Sequence, residues 1–142
     1  MVEQKDFSGN ETILVVEDNE MVRGAVCSIL MKFGYKVIWV GDPGHCQRLM
    51  DQQEGSIHLL LTDVIMPGMN GRELYHRLSS TTANLKVIYM SGYSDNLLAE
   101  HGILDGDTPL IHKPFSLQTL LQKVRDVLDQ KQPPRRVTGA DA

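Results

Sequence analysis

The chain has 142 residues, of which 42% are hydrophobic and 23% charged, which fits one domain with a buried core and leaves little room for a second. Its formal net charge of −4 argues against non-specific nucleic-acid binding, which needs a dense basic surface to neutralise phosphates. No apolar run approaches the roughly 18 residues of a membrane span, and the polar N-terminus lacks the apolar segment of a secretion signal. We therefore expect a cytoplasmic protein in which Cys27 and Cys46 are free thiols.

The first part of the chain alternates short apolar runs with amphipathic stretches. Residues 13–16 are apolar and mostly β-branched, which is typical of a strand buried on both faces. Apolar side chains then recur every three or four residues, which predicts a helix that Asn19 caps and Gly34 ends. A second strand over 36–40 is followed by a predicted helix over 42–53, where Asp-Pro supplies the N-cap and the first helical residue.

Two further strands surround a loop rich in glycine and proline. Residues 58–62 form a third apolar run that ends at Asp63, and residues 85–90 form a fourth. Between them, residues 67–71 contain Pro, Gly and Asn, which mark a tight turn before a helix near 72–78. Strand and helix therefore continue to alternate.

The last third of the chain contains a short strand and a clearly amphipathic helix. Residues 95–107 allow at most a short helix, because glycines interrupt them. Residues 110–112 are predicted to form the fifth strand, and Ser116 caps a helix whose apolar side chains at 117–128 share one face. This alternation predicts an α/β fold with a parallel sheet and helices on both faces. The first strand is not followed by G-x-G-x-x-G, which argues against a dinucleotide-binding Rossmann domain.

Both ends of the chain have the composition of linkers. We predict a disordered leader or linker at 1–10, one domain at 11–130 and a disordered tail at 131–142, where Pro-Pro occurs. The tail is too short for a DNA-binding output domain. The alternatives left open are a stand-alone domain and one domain of a longer chain.

Four of the predicted strands end in polar residues that can carry chemistry. Glu17 and Asp18 follow the first strand, Asp63 ends the third, Ser91 follows the fourth and Lys113 follows the fifth. Because parallel strands bring their carboxyl ends to one edge of the sheet, we expect these five side chains to lie together.

Such a cluster needs a cation. Two carboxylates about 4 Å apart repel by roughly 4 kcal/mol at an effective dielectric constant of 20, so three carboxylates need compensation. Oxygen ligands favour a hard divalent ion, and Mg²⁺ is the usual choice beside phosphates. Lys113 offers a second positive charge. A carboxylate in this setting is equipped to attack a phosphoryl group in line.

Four segments, ILVVEDNE, LLLTDVIMPGMNG, YMSGY and HKPF, resemble in order and spacing the CheY-like receiver domains of two-component response regulators, over about residues 12–128. The resemblance implies a doubly wound, flavodoxin-like sheet of five parallel strands in the order 2-1-3-4-5. It also implies that Asp63 accepts a phosphoryl group from a phosphohistidine of a histidine kinase or histidine phosphotransfer protein. Slow autodephosphorylation would follow, so the domain would act on itself and not as a turnover enzyme.

The resemblance also implies a Mg²⁺ site. Asp18 and Asp63 would bind the ion directly, and Glu17 would help to hold it through water. The backbone carbonyl of Ile65, two residues after the acceptor, would be a further ligand.

For the phosphoryl group itself, the resemblance implies two partners. Ser91 would donate a hydrogen bond to a phosphoryl oxygen, and Lys113 would pair with it. The Lys113–Pro114 peptide in this family is typically cis, which costs only ~0.5–1 kcal/mol before proline.

One position departs from the family pattern. Receivers usually carry Tyr or Phe three residues before the lysine, and the rotamer of that ring reports phosphorylation; here the residue is Leu110. We therefore hypothesise that the domain passes its phosphoryl group on, or modulates a kinase, and does not drive a dimerisation switch. The motifs are similar to those of receivers at the C-terminal end of hybrid histidine kinases. We expect a monomer or weak dimer, with no nucleic-acid or membrane contact.

Other functions fit the residues less well. A haloacid-dehalogenase phosphatase needs a second Asp two residues after the nucleophile, where this chain has Ile65. A flavodoxin-like cofactor binder needs a phosphate loop after the first strand, but Glu-Asp-Asn stands there and would repel a phosphate. A degenerate receiver is disfavoured because all five polar site residues are present. The five histidines form no zinc-binding pattern.

Overall fold

Five parallel strands and four α-helices occupy the residues that the computed structural model describes, which are 6–53, 56–94, 97–98 and 108–130. In chain order they are β1 (Thr12–Val16), α1 (Glu20–Lys32), β2 (Lys36–Val40), α2 (Cys46–Gln52), β3 (Leu59–Asp63), α3 (Gly71–Ser79), β4 (Lys86–Ser91), β5 (Leu110–His112) and α4 (Leu117–Asp129). Within these ranges, no helix combines the length and apolar character that crossing a membrane requires.

The strand order is β2-β1-β3-β4-β5, with every neighbouring pair parallel, which confirms the predicted fold class. In the register, Val16 lies opposite Thr62, and Asp63 lies opposite Met90. The chain leaves β1 in one direction to reach β2 and returns on its other side to β3. The carboxyl ends of β1 and β3 therefore flank the switch point at which open α/β sheets bind ligands.

Both central strands are buried along their whole length, and their side chains alternate between two cores. One core lies under α1 and α4, and the other lies under α2 and α3. The strand residues of the first are Ile13, Val15, Leu59, Leu61, Ile88, Met90 and Ile111. Those of the second include Leu14, Val16, Val40 and Leu60. Continuous burial explains why these strands are apolar runs without polar alternation.

Most predicted helix ends are confirmed. The Asn19 side chain accepts a hydrogen bond from the amide of Val22, and Gly34 adopts a φ of 99° just after α1. Ser116 caps α4 in the same way as Asn19 caps α1. The second helix is shorter than predicted, because Pro43–His45 forms a separate 3-10 turn before α2. A glycine within that turn has little tendency to propagate an α-helix.

The described residues ahead of β1 contact the domain. The amide of Gly9 donates to the carbonyl of Phe33 over 3.0 Å, and the guanidinium of Arg125 donates to the carbonyl of Ser8 over 3.2 Å. The side chain of Phe7 packs against the core under α1 and α4. Residues 7–9 thus contact the end of α1 and the side of α4, while the predicted boundary of the leader stays a prediction.

Three predicted segments fall partly or wholly outside the described residues. These are residues 1–5 of the leader, the tail at 131–142 and most of 95–107. In the last segment, only residues 97 and 98 are described, and both have helical backbone.

Candidate functional site

The predicted acidic residues come together at the carboxyl ends of β1 and β3. Glu17, Asp18 and Asp63 each offer a carboxylate oxygen, and these oxygens all lie within 4.8 Å of one another. Glu17 and Asp63 are buried, whereas Asp18 is exposed. The cluster forms because β1 and β3 are hydrogen-bonded neighbours. Val16 pairs with Thr62, so Glu17 and Asp63, one residue further along each chain segment, lie at the same edge of the sheet.

Lys113 brings positive charge to the two buried carboxylates. Its Nζ atom lies 2.5 Å from Oε1 of Glu17 and 2.5 Å from Oδ1 of Asp63. The contact with Glu17 is a hydrogen bond, but the contact with Asp63 lacks hydrogen-bond alignment, so Oδ1 of Asp63 is buried without a hydrogen-bond partner. The Lys113–Pro114 peptide is cis, as predicted. Oδ1 of Asp63 is therefore a buried carboxylate oxygen whose close contact is an ion pair with Lys113.

The two buried carboxyls have opposite pKa shifts. Burial raises the pKa of Asp63 to about 8, and the nearby carboxylate of Glu17 adds to this effect against the opposing influence of Lys113. Burial also acts to raise the pKa of Glu17. Hydrogen bonds with Asp63, Lys113 and the backbone amide of Asn19 outweigh it and lower that pKa to about 2. Burial and the neighbouring carboxylate therefore favour the neutral form of Asp63, whereas the hydrogen bonds of Glu17 favour its ionised form.

This set of donors fits a hard divalent cation. It consists of carboxylate oxygens, includes a buried oxygen without a hydrogen-bond partner, and carries more negative charge than Lys113 offsets. The side chain of Asp18 is exposed, so this side of the cluster borders on solvent. Among the described residues, no other group of three His, Cys, Asp or Glu side chains is arranged to hold a metal.

Ser91 is buried at the end of β4, next to Met90, which pairs with Asp63. The amide of Lys113 donates to the carbonyl of Ser91 over 2.7 Å, so these two strand ends are joined through their main chains. The hydroxyl of Ser91 accepts a hydrogen bond from the amide of Tyr93 over 2.9 Å. Its predicted bond to a phosphoryl oxygen stays a prediction.

The loop after Asp63 folds back tightly against it. A Cβ atom at Gly71 would lie 2.2 Å from the carbonyl oxygen of Asp63, so only glycine fits at the start of α3. The amide of Gly71 donates to the carbonyl of Val64 over 2.6 Å. Ile65, whose carbonyl is a predicted metal ligand, lies in this loop with an exposed side chain. The sequence marks Gly71 only as a turn residue, and its close approach to Asp63 appears only in the fold.

Arg23 is a residue near the site to which the sequence assigns no role. Its Nη1 atom donates to the carbonyl oxygen of Glu17 over 2.9 Å, and its guanidinium lies over the ring of Trp39. In the sequence it is one cation in an amphipathic helix. The contact forms because α1 packs against the end of β1, which the sequence pattern does not show.

Comparisons with known proteins agree with this arrangement. Residues 13–125 match the model of the response regulator receiver domain. The sensor kinase CckA of Brucella abortus (strain 2308) is 32% identical over 126 residues, which are 89% of this chain and 13% of the kinase. The response regulator receiver protein CpdR of the same organism is 30% identical over 116 residues, which are 82% of this chain and 95% of CpdR. The crystal structure of the receiver domain from the hybrid histidine kinase CckA has a TM-score of 0.69 at 29% identity, covering 83% of this chain and 99% of that one.

Proposed function

Because this chain belongs to the response regulator receiver family of two-component signalling, we propose that it accepts a phosphoryl group on Asp63. The donor would be a phosphohistidine on a histidine kinase or a histidine phosphotransfer protein. One observation carries the proposal: the buried Asp63 carboxyl contacts Lys113 and keeps an oxygen without a hydrogen-bond partner beside two further carboxylates.

In the proposed transfer, a carboxylate oxygen of Asp63 attacks the phosphorus atom of the phosphohistidine. A P–O bond forms, the P–N bond breaks, and the imidazole leaves with the electron pair of that bond. The ammonium of Lys113, 2.5 Å from the Asp63 carboxylate, is positioned to pair with the phosphoryl oxygens. The hydroxyl of Ser91 is the second proposed donor, and to reach the phosphoryl group it must turn from the main chain of Tyr93.

We propose Mg²⁺ as the ion of this site. Asp18 and Asp63 would hold it directly, Glu17 would support it from an outer position, and the carbonyl of Ile65 would add a further oxygen. When bound, the ion supplies the positive charge that keeps Asp63 ionised and neutralises the transferring oxygens. The need for this charge follows from the raised pKa of Asp63, about 8, because a protonated carboxyl is a poor nucleophile.

The phosphoryl group would later leave by hydrolysis. A water oxygen attacks the phosphorus atom, the bond to the Asp63 oxygen breaks, and inorganic phosphate is released. We propose that this hydrolysis is slow. The domain then returns to its starting state after one event on its own residue, unlike a turnover enzyme.

The environment of Leu110 supports the proposed mode of signalling. Leu110 packs beside the buried side chains of Val64, Tyr89 and Leu98. Leucine has no aromatic ring whose rotamer could follow the hydroxyl of Ser91. We therefore propose that the domain relays its phosphoryl group or modulates a kinase, as a cytoplasmic monomer or weak dimer. The similarity to the receiver domain of CckA supports a hybrid-kinase context.

The test is phosphorylation by acetyl phosphate with Mg²⁺, followed by mass mapping of the label. We expect one acid-labile phosphoryl group on Asp63, no label in Asp63→Asn, and normal labelling in the matched control Asp51→Asn, whose side chain lies exposed on α2. Removal of Mg²⁺ with a chelator should abolish labelling. Undiminished labelling in Asp63→Asn would disprove the assignment of the acceptor.

The mode of signalling has its own test. Sedimentation velocity, run with and without acetyl phosphate, should give the same monomeric or weakly dimeric species. A tight dimer that forms only on phosphorylation would contradict the relay proposal while leaving the acceptor assignment intact.

A further inference from the structure

The side chain of Arg23 connects three elements beside the acidic cluster. From α1, its Nη1 atom donates to the carbonyl oxygen of Glu17, just beyond β1, over 2.9 Å. Its Cζ atom lies 4.6 Å from the centroid of the Trp39 ring on β2. A Cβ atom at Gly41 would lie 2.7 Å from Nη1, so a glycine at the end of β2 leaves the space that the guanidinium occupies.

The carbonyl that Arg23 binds belongs to the peptide unit between two residues of the cluster, Glu17 and Asp18. Pairing of β1 with both neighbouring strands ends at Val16, so the sheet register does not extend to this carbonyl. The Glu17 side chain has several partners, since it contacts Lys113 and accepts from the amide of Asn19. The carboxylate of Asp18 is exposed to solvent, so its direction depends mainly on the backbone that carries it.

We propose that Arg23 is a positioning residue, which holds the Glu17–Asp18 peptide so that both carboxylates face Asp63. This inference rests on the proposed divalent-cation site. It also accounts for the exposed aromatic ring on edge strand β2, since Trp39 is 54% exposed. The ring is the platform that orients the planar guanidinium toward the Glu17 carbonyl.

Lysine and arginine should differ at this position. A guanidinium can stack its plane on Trp39 and direct an in-plane N–H group at the carbonyl of Glu17 at the same time. An ammonium is a compact charge without a planar array of N–H groups. Arg23→Lys therefore keeps the charge but loses the stacking on Trp39 and the directed hydrogen bond to the Glu17 carbonyl. If Arg23 acted only through its charge, Arg23→Lys would behave as the wild type.

The experiment measures Mg²⁺ affinity by calorimetry on the full chain, without a phosphodonor. We expect Arg23→Gln to bind Mg²⁺ about 10-fold more weakly or worse, the size of effect typical of residues that orient metal ligands. Arg23→Lys should fall between Arg23→Gln and the wild type, and the control Arg48→Gln, exposed on α2, should bind normally.

A double-mutant cycle and a spectroscopic signature separate positioning from general stability. Trp39→Ala should weaken Mg²⁺ binding less than Arg23→Gln, and the double variant should bind no more weakly than Arg23→Gln, because the ring acts through Arg23. The chain contains one tryptophan, so its emission reports this position alone. Mg²⁺ should change the emission in the wild type and have no effect in Arg23→Gln.

The outcomes distinguish this inference from the function on which it rests. If the wild type neither binds Mg²⁺ nor takes up label from acetyl phosphate, the proposed function fails and this inference fails with it. If the wild type does both and folded Arg23→Gln binds Mg²⁺ as tightly, only the positioning role is wrong. Should Arg23→Gln not fold, Arg23→Lys and Trp39→Ala decide, and unchanged affinity in both would overturn the proposal.

Discussion

Replacing Lys113 with glutamine should destabilise the domain, because the carboxylates of the acidic cluster lose the cation that offsets their repulsion. The ammonium lies 2.5 Å from one oxygen of Glu17 and from one of Asp63. At an effective dielectric constant of 20, each contact corresponds to an attraction of roughly 7 kcal/mol, an upper bound because each carboxylate charge is shared by two oxygens. Without Lys113, the repulsion between carboxylates whose oxygens lie within 4.8 Å is no longer offset, at about 3.5 kcal/mol or more per pair.

Protonation of Asp63 limits the loss of unfolding free energy in Lys113→Gln. Burial raises the pKa of Asp63 to about 8 although Lys113 opposes the rise, so removing Lys113 favours the neutral form of Asp63 further. Removing one partner of a buried ion pair typically costs about 3–5 kcal/mol. Lys113 is 25% exposed, so we expect Lys113→Gln to lose about 3 kcal/mol of unfolding free energy in the absence of metal.

The measurement is urea unfolding at neutral pH, followed by circular dichroism, with a chelator and then with Mg²⁺. Mg²⁺ should stabilise Lys113→Gln more than the wild type, because the variant's site has more uncompensated negative charge. The control is Lys36→Gln on the edge strand β2, where an exposed lysine should contribute no more than about 0.5 kcal/mol. The reasoning is refuted if Lys113→Gln matches Lys36→Gln in the chelator, or if Mg²⁺ stabilises variant and wild type equally.

Three further predictions concern other parts of the domain. Asp18→Asn should weaken Mg²⁺ binding measured by calorimetry, yet change the urea midpoint little because the side chain is exposed; tight binding by this variant would remove Asp18 from the site. Gly71→Ala should cost about 3 kcal/mol and reduce labelling by acetyl phosphate, because its Cβ would lie 2.2 Å from the Asp63 carbonyl. In the matched variant Gly24→Ala, no atom lies within 4 Å of the new Cβ. Because alanine has the higher helix propensity, this variant should stabilise α1 by up to about 1 kcal/mol. Equal unfolding midpoints for Gly71→Ala and Gly24→Ala would contradict this expectation. The hydrogen bond with Arg125 holds the pKa of Glu11 below its usual 4.5. The ionised Glu11 therefore stabilises the fold above pH 4.5, and this stabilisation is lost as the pH falls through the lowered pKa. Between about pH 5 and pH 3, urea unfolding should show a smaller decrease in unfolding free energy for Glu11→Gln than for the wild type.

Much of the fold follows from local sequence pattern. The central strands are apolar runs because both of their faces are covered, and this requirement is visible in the residues themselves. Asn19 and Ser116 cap helices through side chains that reach amides three residues away, so their roles are also readable locally. The length predicted for the second helix is wrong, because local pattern does not separate a 3-10 turn at Pro43–His45 from the first turn of α2.

The site was partly predictable for a topological reason. Parallel strands place their carboxyl ends on one edge, so the alternation of strands and helices was sufficient to bring Glu17, Asp18 and Asp63 together. The roles of these residues in phosphoryl transfer and Mg²⁺ binding stay predictions. The departure at Leu110 was also visible in the sequence, but its packing with Tyr89 and Leu98 was not.

Contacts between residues far apart in the chain depend on the tertiary structure. Lys113 joins Glu17 across 96 positions, and Arg125 joins Glu11 across 114, at the edge where residues 7–9 also pack. Arg23 is close to Glu17 in sequence, yet its second partner, Trp39, is supplied by a different strand. Local periodicity determines which face of an element is buried. The side chain that meets a given charge depends on how distant elements cross, and only the assembled sheet and helices settle that geometry.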